Sequence, residues 1–437
     1  MKKRFAICST IVLLLLLSAC GAPQTLDFSY APEGEELPSL MVETSQTHRA
    51  ELEHVPSAAD FDDAISDDPA SAGLLSESEV ESLLRGHAAM ETVSKEQAQS
   101  DVSLLFRTLQ SAYGAYEYFG QEKFDAAEDA VTQWLSSQDD EIKVSALGEK
   151  LQESLAFMLS HDAHAVIYEP AAEEIEAQVR YEYFFADGFY FSKDVNGSYY
   201  MVNDGERWTL SSFSDEHVSV QPTLLKDGRI VYQPTLFTLR KDAVQSSVTL
   251  KNSSGKAKIY RLDWTESQPL DVDLGTLDYR LIQEDGLTYV SLRSFVSSTY
   301  DNMLARYARE GAKARGSKAV IYDLRGNVGG SDSWPRKWIQ SFLGTQNSIE
   351  TSMLYAQKNS ALFAAENSES LLPEDEGTCF AREVHGTWYE NDIPIIVLVD
   401  DHCGSSGEGA VQLLKTLDNV LIVGSNTAGY QLCGNIS

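Results

Sequence analysis

Ala319-Val-Ile-Tyr-Asp323-Leu-Arg-Gly326-Asn-Val-Gly329-Gly330 is an apolar run that ends in a carboxylate and then places three glycines within five residues. It reads as a buried strand feeding a tight turn. The glycines admit left-handed backbone and leave amides uncovered, so the turn can cradle an anion. A plain strand-to-helix connection explains the stretch equally well when it is taken alone. Outward from it, Thr288–Leu292, Ile393–Val399 and Leu421-Ile-Val423 are strand candidates. Met303–Ala312, Ser333–Leu343 and Glu408–Leu417 have helical spacing and alternate with them. This alternation predicts an α/β domain over 271–437, a buried parallel or mixed sheet with covering helices.

Upstream the pattern changes twice. Over 171–270, Tyr181, Tyr183, Phe189-Tyr-Phe191, Tyr199-Tyr-Met-Val202 and Ser247-Val-Thr-Leu250 are strand-like. Asn196-Gly197, Asp204-Gly205, Asp227-Gly228 and Ser254-Gly255 punctuate them as turns, giving a small β-rich domain. Over 101–170 the period is helical: Val102, Leu105, Leu109 and Tyr113; Phe124, Ala127, Val131 and Trp134; Leu147, Leu151, Leu155 and Met158. The third helix leads into Ser160-His161-Asp162-Ala163-His164 and an apolar strand. Residues 20–100 are acidic and low in aromatics, as expected of a flexible spacer, with a short helix at Ser76–Arg85 opened by the capping box Ser76-Glu-Ser-Glu79.

The first residues set the address. Lys2, Lys3 and Arg4 precede an apolar run, Phe5 to Ala19, which at fifteen residues is short of the about 20 that a helix needs to cross a bilayer. Leu17-Ser-Ala-Cys20 resembles the bacterial lipobox, which implies a lipoprotein signal peptide at 1–19 and acylation of Cys20. Several acyl chains give stable anchoring where one is marginal. The expected localisation is the extracytoplasmic face of the cell membrane.

In composition, 66 Asp+Glu against 34 Lys+Arg give a net charge of −32 over 437 residues, which argues against nucleic acid as a partner. With 17 Phe, 20 Tyr and 6 Trp the chain can build a core, which rules out wholesale disorder. Cys8 falls in the leader, and Cys379, Cys403 and Cys433 are too few for a disulfide scaffold. No Cys/His spacing fits a zinc site, and neither metal nor cofactor is expected.

Two further segments carry candidate chemistry. Ile393-Pro-Ile-Ile-Val-Leu-Val-Asp400 runs into Asp-His-Cys-Gly404-Ser405-Ser406-Gly407-Glu408, which puts Ser405 between a buried strand and a helix start. The positive end of the helix dipole there favours an alkoxide, and nearby amides can hold an oxyanion. Ser405-x-x-Glu408 is also a capping box, which needs no chemistry at all. Val423-Gly424-Ser-Asn-Thr427-Ala-Gly429-Tyr430 is a strand followed by a turn.

Taken in order, these segments resemble the tail-specific (carboxyl-terminal processing, S41-type) serine peptidase family. That family has a strand ending Asp-Leu-Arg-x-Asn-x-Gly-Gly, then Val-Asp followed by Ser-Ala-Ser-Ala-Ser-Glu, then Gly-Glu-x-Thr-x-Gly-Lys. Tyr289-Val-Ser-Leu-Arg-Ser-Phe295 also looks like its opening strand. The resemblance covers about 100 to 437, most clearly 285 to 430. It implies a crotonase-like catalytic sheet, Ser405 as nucleophile, and an oxyanion hole from Gly329 or Gly330 and the Ser406 amide. It also implies a PDZ-like role for the β-rich domain.

The general base departs from the commoner family pattern. Tyr430 stands where many members carry lysine, and a phenol with a pKa near 10 is a poor base at neutral pH. Lys415 lies ten residues along the helix, about 15 Å away. The tricorn-like branch of the family uses a histidine from a short motif ahead of the catalytic core, and Asp162-Ala163-His164 resembles that motif. His164 is therefore the expected base, with His161 and His402 as the other histidines in range. The chain stops at Ser437 with no further closing strand, as a truncated form would. The expected function is a lipid-anchored serine peptidase acting on exported proteins or peptides; a silent relative that binds peptides or cell-wall fragments is the alternative.

Overall fold

The computed structural model describes residues 37–61, 67–85, 90–162, 164–167, 182–203, 205–225, 229–238, 246–266, 279–296, 301–367, 370, 372 and 374–430. The leader, Cys20, Tyr181, the Asp227-Gly228 turn and Cys433 lie outside them. In chain order the helical part holds α1 (Leu37–Glu53), α2 (Glu77–Arg85), β1 (Thr92–Ser94), α3 (Lys95–Ala112), α4 (Tyr116–Phe119), α5 (Gln121–Ser136), β2 (Glu141–Lys143), α6 (Val144–Ser154) and α7 (Ala156–Leu159). Next come β3 (Glu182–Ala186), β4 (Ser192–Lys193), β5 (Tyr199–Asn203), β6 (Glu206–Phe213), β7 (Val218–Leu224), β8 (Ile230–Thr238), β9 (Ser246–Lys251), β10 (Ala257–Leu262) and β11 (Trp264–Glu266). Last are β12 (Arg280–Glu284), β13 (Leu287–Ser291), α8 (Asp301–Ala314), β14 (Ala319–Asp323), α9 (Ser333–Leu343), β15 (Met353–Lys358), α10 (Ala361–Glu366), β16 (Cys379–Val384), β17 (Ile395–Val399), α11 (Ser406–Leu414) and β18 (Val420–Gly424).

The chain divides into two units, one of residues 1–40 and 179–269 and the other of 41–178 and 270–437. The helical region and the α/β region thus belong to one unit. In the smaller unit β10-β9-β6-β5-β4 and β11-β3-β8-β7 form two antiparallel sheets. Side chains alternate along β9, where Ser246, Val248 and Leu250 point inward onto Phe191, Met201, Trp208 and Tyr260.

In the larger unit Ser94 caps α3, its hydroxyl accepting from the Gln97 amide at 3.1 Å. Ala98, Val102 and Phe106 of α3 meet Phe124, Ala127, Val131 and Leu135 of α5 in one core. The expected single helix through Met158 is broken at Leu155 into α6 and α7. The spacer expected over 20–100 needs a larger correction. Met41, Ser45, His48 and Leu52 are all buried on one face of α1, at helical spacing. Two of these four are polar, so a hydrophobic pattern misses the stripe. Ser45 Oγ accepts the Asn419 amide at 2.9 Å, which fixes α1 beside β18.

The central sheet has the order β12-β13-β14-β17-β18, with β12 antiparallel and the rest parallel. Val320, Tyr322, Ile395, Val397 and Val420 pack with Trp338 and Phe342 of α9 and with Leu413 and Leu414 of α11. Helices α8 and α9 approach closely at Gly311, where a Cβ would lie 2.3 Å from the Trp338 carbonyl oxygen. The coarse α/β expectation holds. The hairpin of β15 and β16, with α10 between its strands, was not anticipated. All three motifs lie at the carboxyl ends of parallel strands, where open α/β sheets bind ligands.

Candidate active site

Strand β14 ends in Asp323, whose carboxylate takes both Arg293 (3.2 Å) and Arg325 (2.8 Å), together with the Tyr289 hydroxyl at 2.7 Å. Burial alone would raise its pKa. The hydrogen bonds from Arg325, Arg293 and Tyr289 outweigh burial and hold it well below the usual carboxylate range. The turn that follows is pinned from inside. Asn327 is fully buried, donating to the Leu292 carbonyl at 2.8 Å and accepting the Gly329 amide at 3.0 Å. The Gly326 amide donates to Asp400 Oδ1 at 2.9 Å and the Gly404 amide to the Asn327 carbonyl at 2.9 Å. The first two motifs are thus stitched together.

Ser405 follows β17 and precedes α11 with φ 52° and ψ −122°, a conformation that side-chain-bearing residues avoid. Ser405 and Glu408 are arranged as a capping box. In its firm half the Ser405 amide donates to Glu408 Oε2 at 3.1 Å; the other half is too loose to give the Ser405 hydroxyl a cap hydrogen bond. That hydroxyl instead faces His164, whose Nε2 lies 3.3 Å from Ser405 Oγ. Among the three histidines considered, His161 turns its Nδ1 to the Phe157 carbonyl at 3.0 Å, and His402 sits beside Asp401 at 3.1 Å. Lys415 pairs with Glu51.

Glu408, 4% exposed, ties the third motif to the second. Besides the Ser405 amide it accepts Thr427 Oγ1 (2.6 Å), the Gly429 amide (2.8 Å) and the Tyr430 amide (2.8 Å). The Tyr430 ring then packs edge-on against the His164 imidazole, with centroids 4.7 Å apart. The residue in the lysine position is thus a wall of the site.

Of the expected oxyanion donors, Gly329 is corrected, since its amide is committed to Asn327. Its tight place is nonetheless beside the hydroxyl: a Cβ there would lie 2.7 Å from Ser405 Cβ and 3.1 Å from the Ser406 nitrogen. Among the described residues no acceptor takes the Gly330 amide. As the first residue of α11, Ser406 has an amide with no intrahelical acceptor. Ser406 Oγ donates to the Gly330 carbonyl at 2.8 Å, which holds the two amides' loops together. Asp400, Asp401 and His402 cluster with ligand atoms within 4.8 Å of one another. Asp400 Oδ1 already serves the Gly326 and His402 amides, and the cluster is not assigned to a metal.

Residues 286–436 match the model of Peptidase family S41. This part of the chain is similar to that family. No curated protein matches the chain. Among solved structures, the chain is similar to mature CPAF at 13% identity over 77% of this chain and 84% of that one, with a TM-score of 0.39. The photosystem II D1 C-terminal processing protease is similar at 13% identity over 77% and 82%, with a TM-score of 0.31. A lipoprotein from Streptococcus agalactiae is similar at 14% identity over 79% and 80%, with a TM-score of 0.30. The matched segment holds Ser405, Ser406, Gly330 and Glu408, whereas His164 comes from the helical region ahead of it. Sequence reading named Ser405 and His164 but missed Asn327 and the hub role of Glu408. Glu408 was visible only as a helix-capping partner.

Proposed function

We propose that the chain is a serine peptidase that cleaves peptide bonds of exported proteins through an acyl-enzyme. The observation that carries this reading is the Ser405 hydroxyl, held at a strained turn and 3.3 Å from His164 Nε2. His164 takes the hydroxyl proton as Ser405 Oγ attacks the scissile carbonyl, and the amides of Gly330 and Ser406 receive the oxyanion. Collapse of the tetrahedral adduct breaks the peptide C–N bond, with the His164 proton passing to the departing amine. Water then repeats the sequence and releases Ser405. The distance sits at the loose end for such a pair before substrate binds. The crotonase-like reading of the sheet belongs to the same proposal. So does anchoring at the extracytoplasmic face of the cell membrane through acylated Cys20, for which the leader residues are the support. No helix among the described residues is long and apolar enough to cross a membrane.

A second reading, a catalytically silent peptide-binding relative, is favoured by one observation: His164 Nδ1 is buried with no hydrogen-bond partner among the described residues. A fluorophosphonate probe separates the two. Labelling of the wild-type chain, lost in Ser405→Ala and kept in Lys415→Ala, supports the peptidase. A folded full-length chain that resists labelling supports the silent relative.

A further inference from the structure

A serine-type base normally has its second ring nitrogen held by an acid, which fixes the tautomer and aims the imidazole. Nothing among the described residues does this for His164. The residue is instead gripped by its main chain. Its amide donates to Asp162 Oδ1 at 3.0 Å, and Asp162 Oδ2 accepts the Tyr113 hydroxyl at 2.8 Å. Asp162 is 3% exposed, and a buried carboxylate is stable in place only when its oxygens are satisfied. Its own backbone is fixed as well: its amide donates to the Met158 carbonyl at 3.0 Å and its carbonyl accepts the Ala165 amide at 3.1 Å. Tyr113 is the C-cap of α3, itself packed in the helical core, so the grip has a rigid base.

We infer that Tyr113 and Asp162 are positioning residues for His164, aiming its imidazole at Ser405 through the hydrogen bond from the His164 main-chain amide to Asp162. The inference rests on His164 being the base of the peptidase proposed above. It accounts for a buried acid two residues before the histidine that touches the peptide amide rather than the ring. With Tyr430 against the other side of the imidazole, the ring is confined without an acid on Nδ1.

The test uses the full chain with Tyr113→Phe, Asp162→Ala and Asp162→Asn. Two readouts are followed beside the melting temperature: saturation kinetics of fluorophosphonate labelling, and the rate at which diethyl pyrocarbonate modifies His164, mapped by peptide mass spectrometry. Tyr113→Phe is expected to lower the maximal labelling rate about tenfold and Asp162→Ala about a hundredfold, because misplacement by an ångström costs rates of that order. Half-saturating probe concentration stays within about twofold, since the probe's contacts are untouched. Asp162→Asn keeps a carbonyl for the His164 amide and an amide for Tyr113, so it recovers most of the rate. His164 modification becomes several-fold faster in Tyr113→Phe and Asp162→Ala. Should Asp162→Ala fail to fold, Tyr113→Phe, which removes one oxygen, carries the test alone. Folded variants with unchanged labelling and unchanged His164 modification overturn the inference. A wild-type chain that never labels defeats the peptidase reading instead, and the modification rates still decide whether the pair holds His164.

Discussion

Gly329 shows how little room surrounds the Ser405 hydroxyl. Its φ is +101°, and any Cβ would lie 2.7 Å from Ser405 Cβ and 2.9 Å from the Gly404 carbonyl oxygen. Both the conformation and the space exclude a side chain. Gly329→Ala is expected to destabilise the fold by about 1–3 kcal/mol and to lower fluorophosphonate labelling by at least tenfold, because the relief available is to push Ser405 off His164. A chemical melt alongside labelling checks both. An alanine variant that labels at the wild-type rate would mean that the Gly329 turn is not coupled to Ser405.

At the scale of elements, the β14 turn depends on one carboxylate serving two guanidinium groups. The folded-state pKa of Asp323 lies below its unfolded value, so the folded chain binds fewer protons there. Its contribution is therefore complete above the unfolded carboxylate pKa of about 3.9 and is lost as pH falls below it. Asp323→Asn should cost about 3–5 kcal/mol at pH 7, the usual penalty for breaking a buried pair. That difference in urea stability should shrink as the pH is lowered below about 4. A gap that stays constant down to pH 3 would show that charge is not what Asp323 supplies. The elements here that the sequence made legible are those whose apolar residues keep a clean period: β14, β17, α9 and the helices around Val102 and Phe124. The spacing of Ser405 from Glu408, and of His164 from Asp162, marked the site as well. What stayed hidden was held by polar groups. Helix α1 buries Ser45 and His48 as half of its stripe, and β15 and β16 leave Met353 and Phe380 exposed, so neither shows a hydrophobic period. The commitment of the Gly329 amide depends on the Asn327 side chain folding back, which spacing does not encode.

For the larger unit as a whole, α1 adds a pH-dependent clasp. Burial, with Lys415 nearby and Glu51 only partly opposing it, brings the pKa of His48 down to about 4. The unfolded chain then binds a proton between about 6.5 and 4 that the folded chain refuses. Stability from this group is complete above about 6.5 and is lost as pH falls toward 4, a difference of about 3 kcal/mol. Hydrogen exchange should show the amides of 41–53 losing roughly a hundredfold protection across that window. His48→Gln should flatten the dependence; an unaltered dependence in the variant would assign it elsewhere. The strained turn at Ser405 has a thermal consequence of its own. An L-residue there stores about 1–3 kcal/mol, which glycine would largely release at an entropic cost of about 0.5–1 kcal/mol. Ser405→Gly should thus melt at a higher temperature than the parent and, on the peptidase reading, do no hydrolysis, so that the parent forgoes heat resistance in order to keep the Ser405 hydroxyl at that turn.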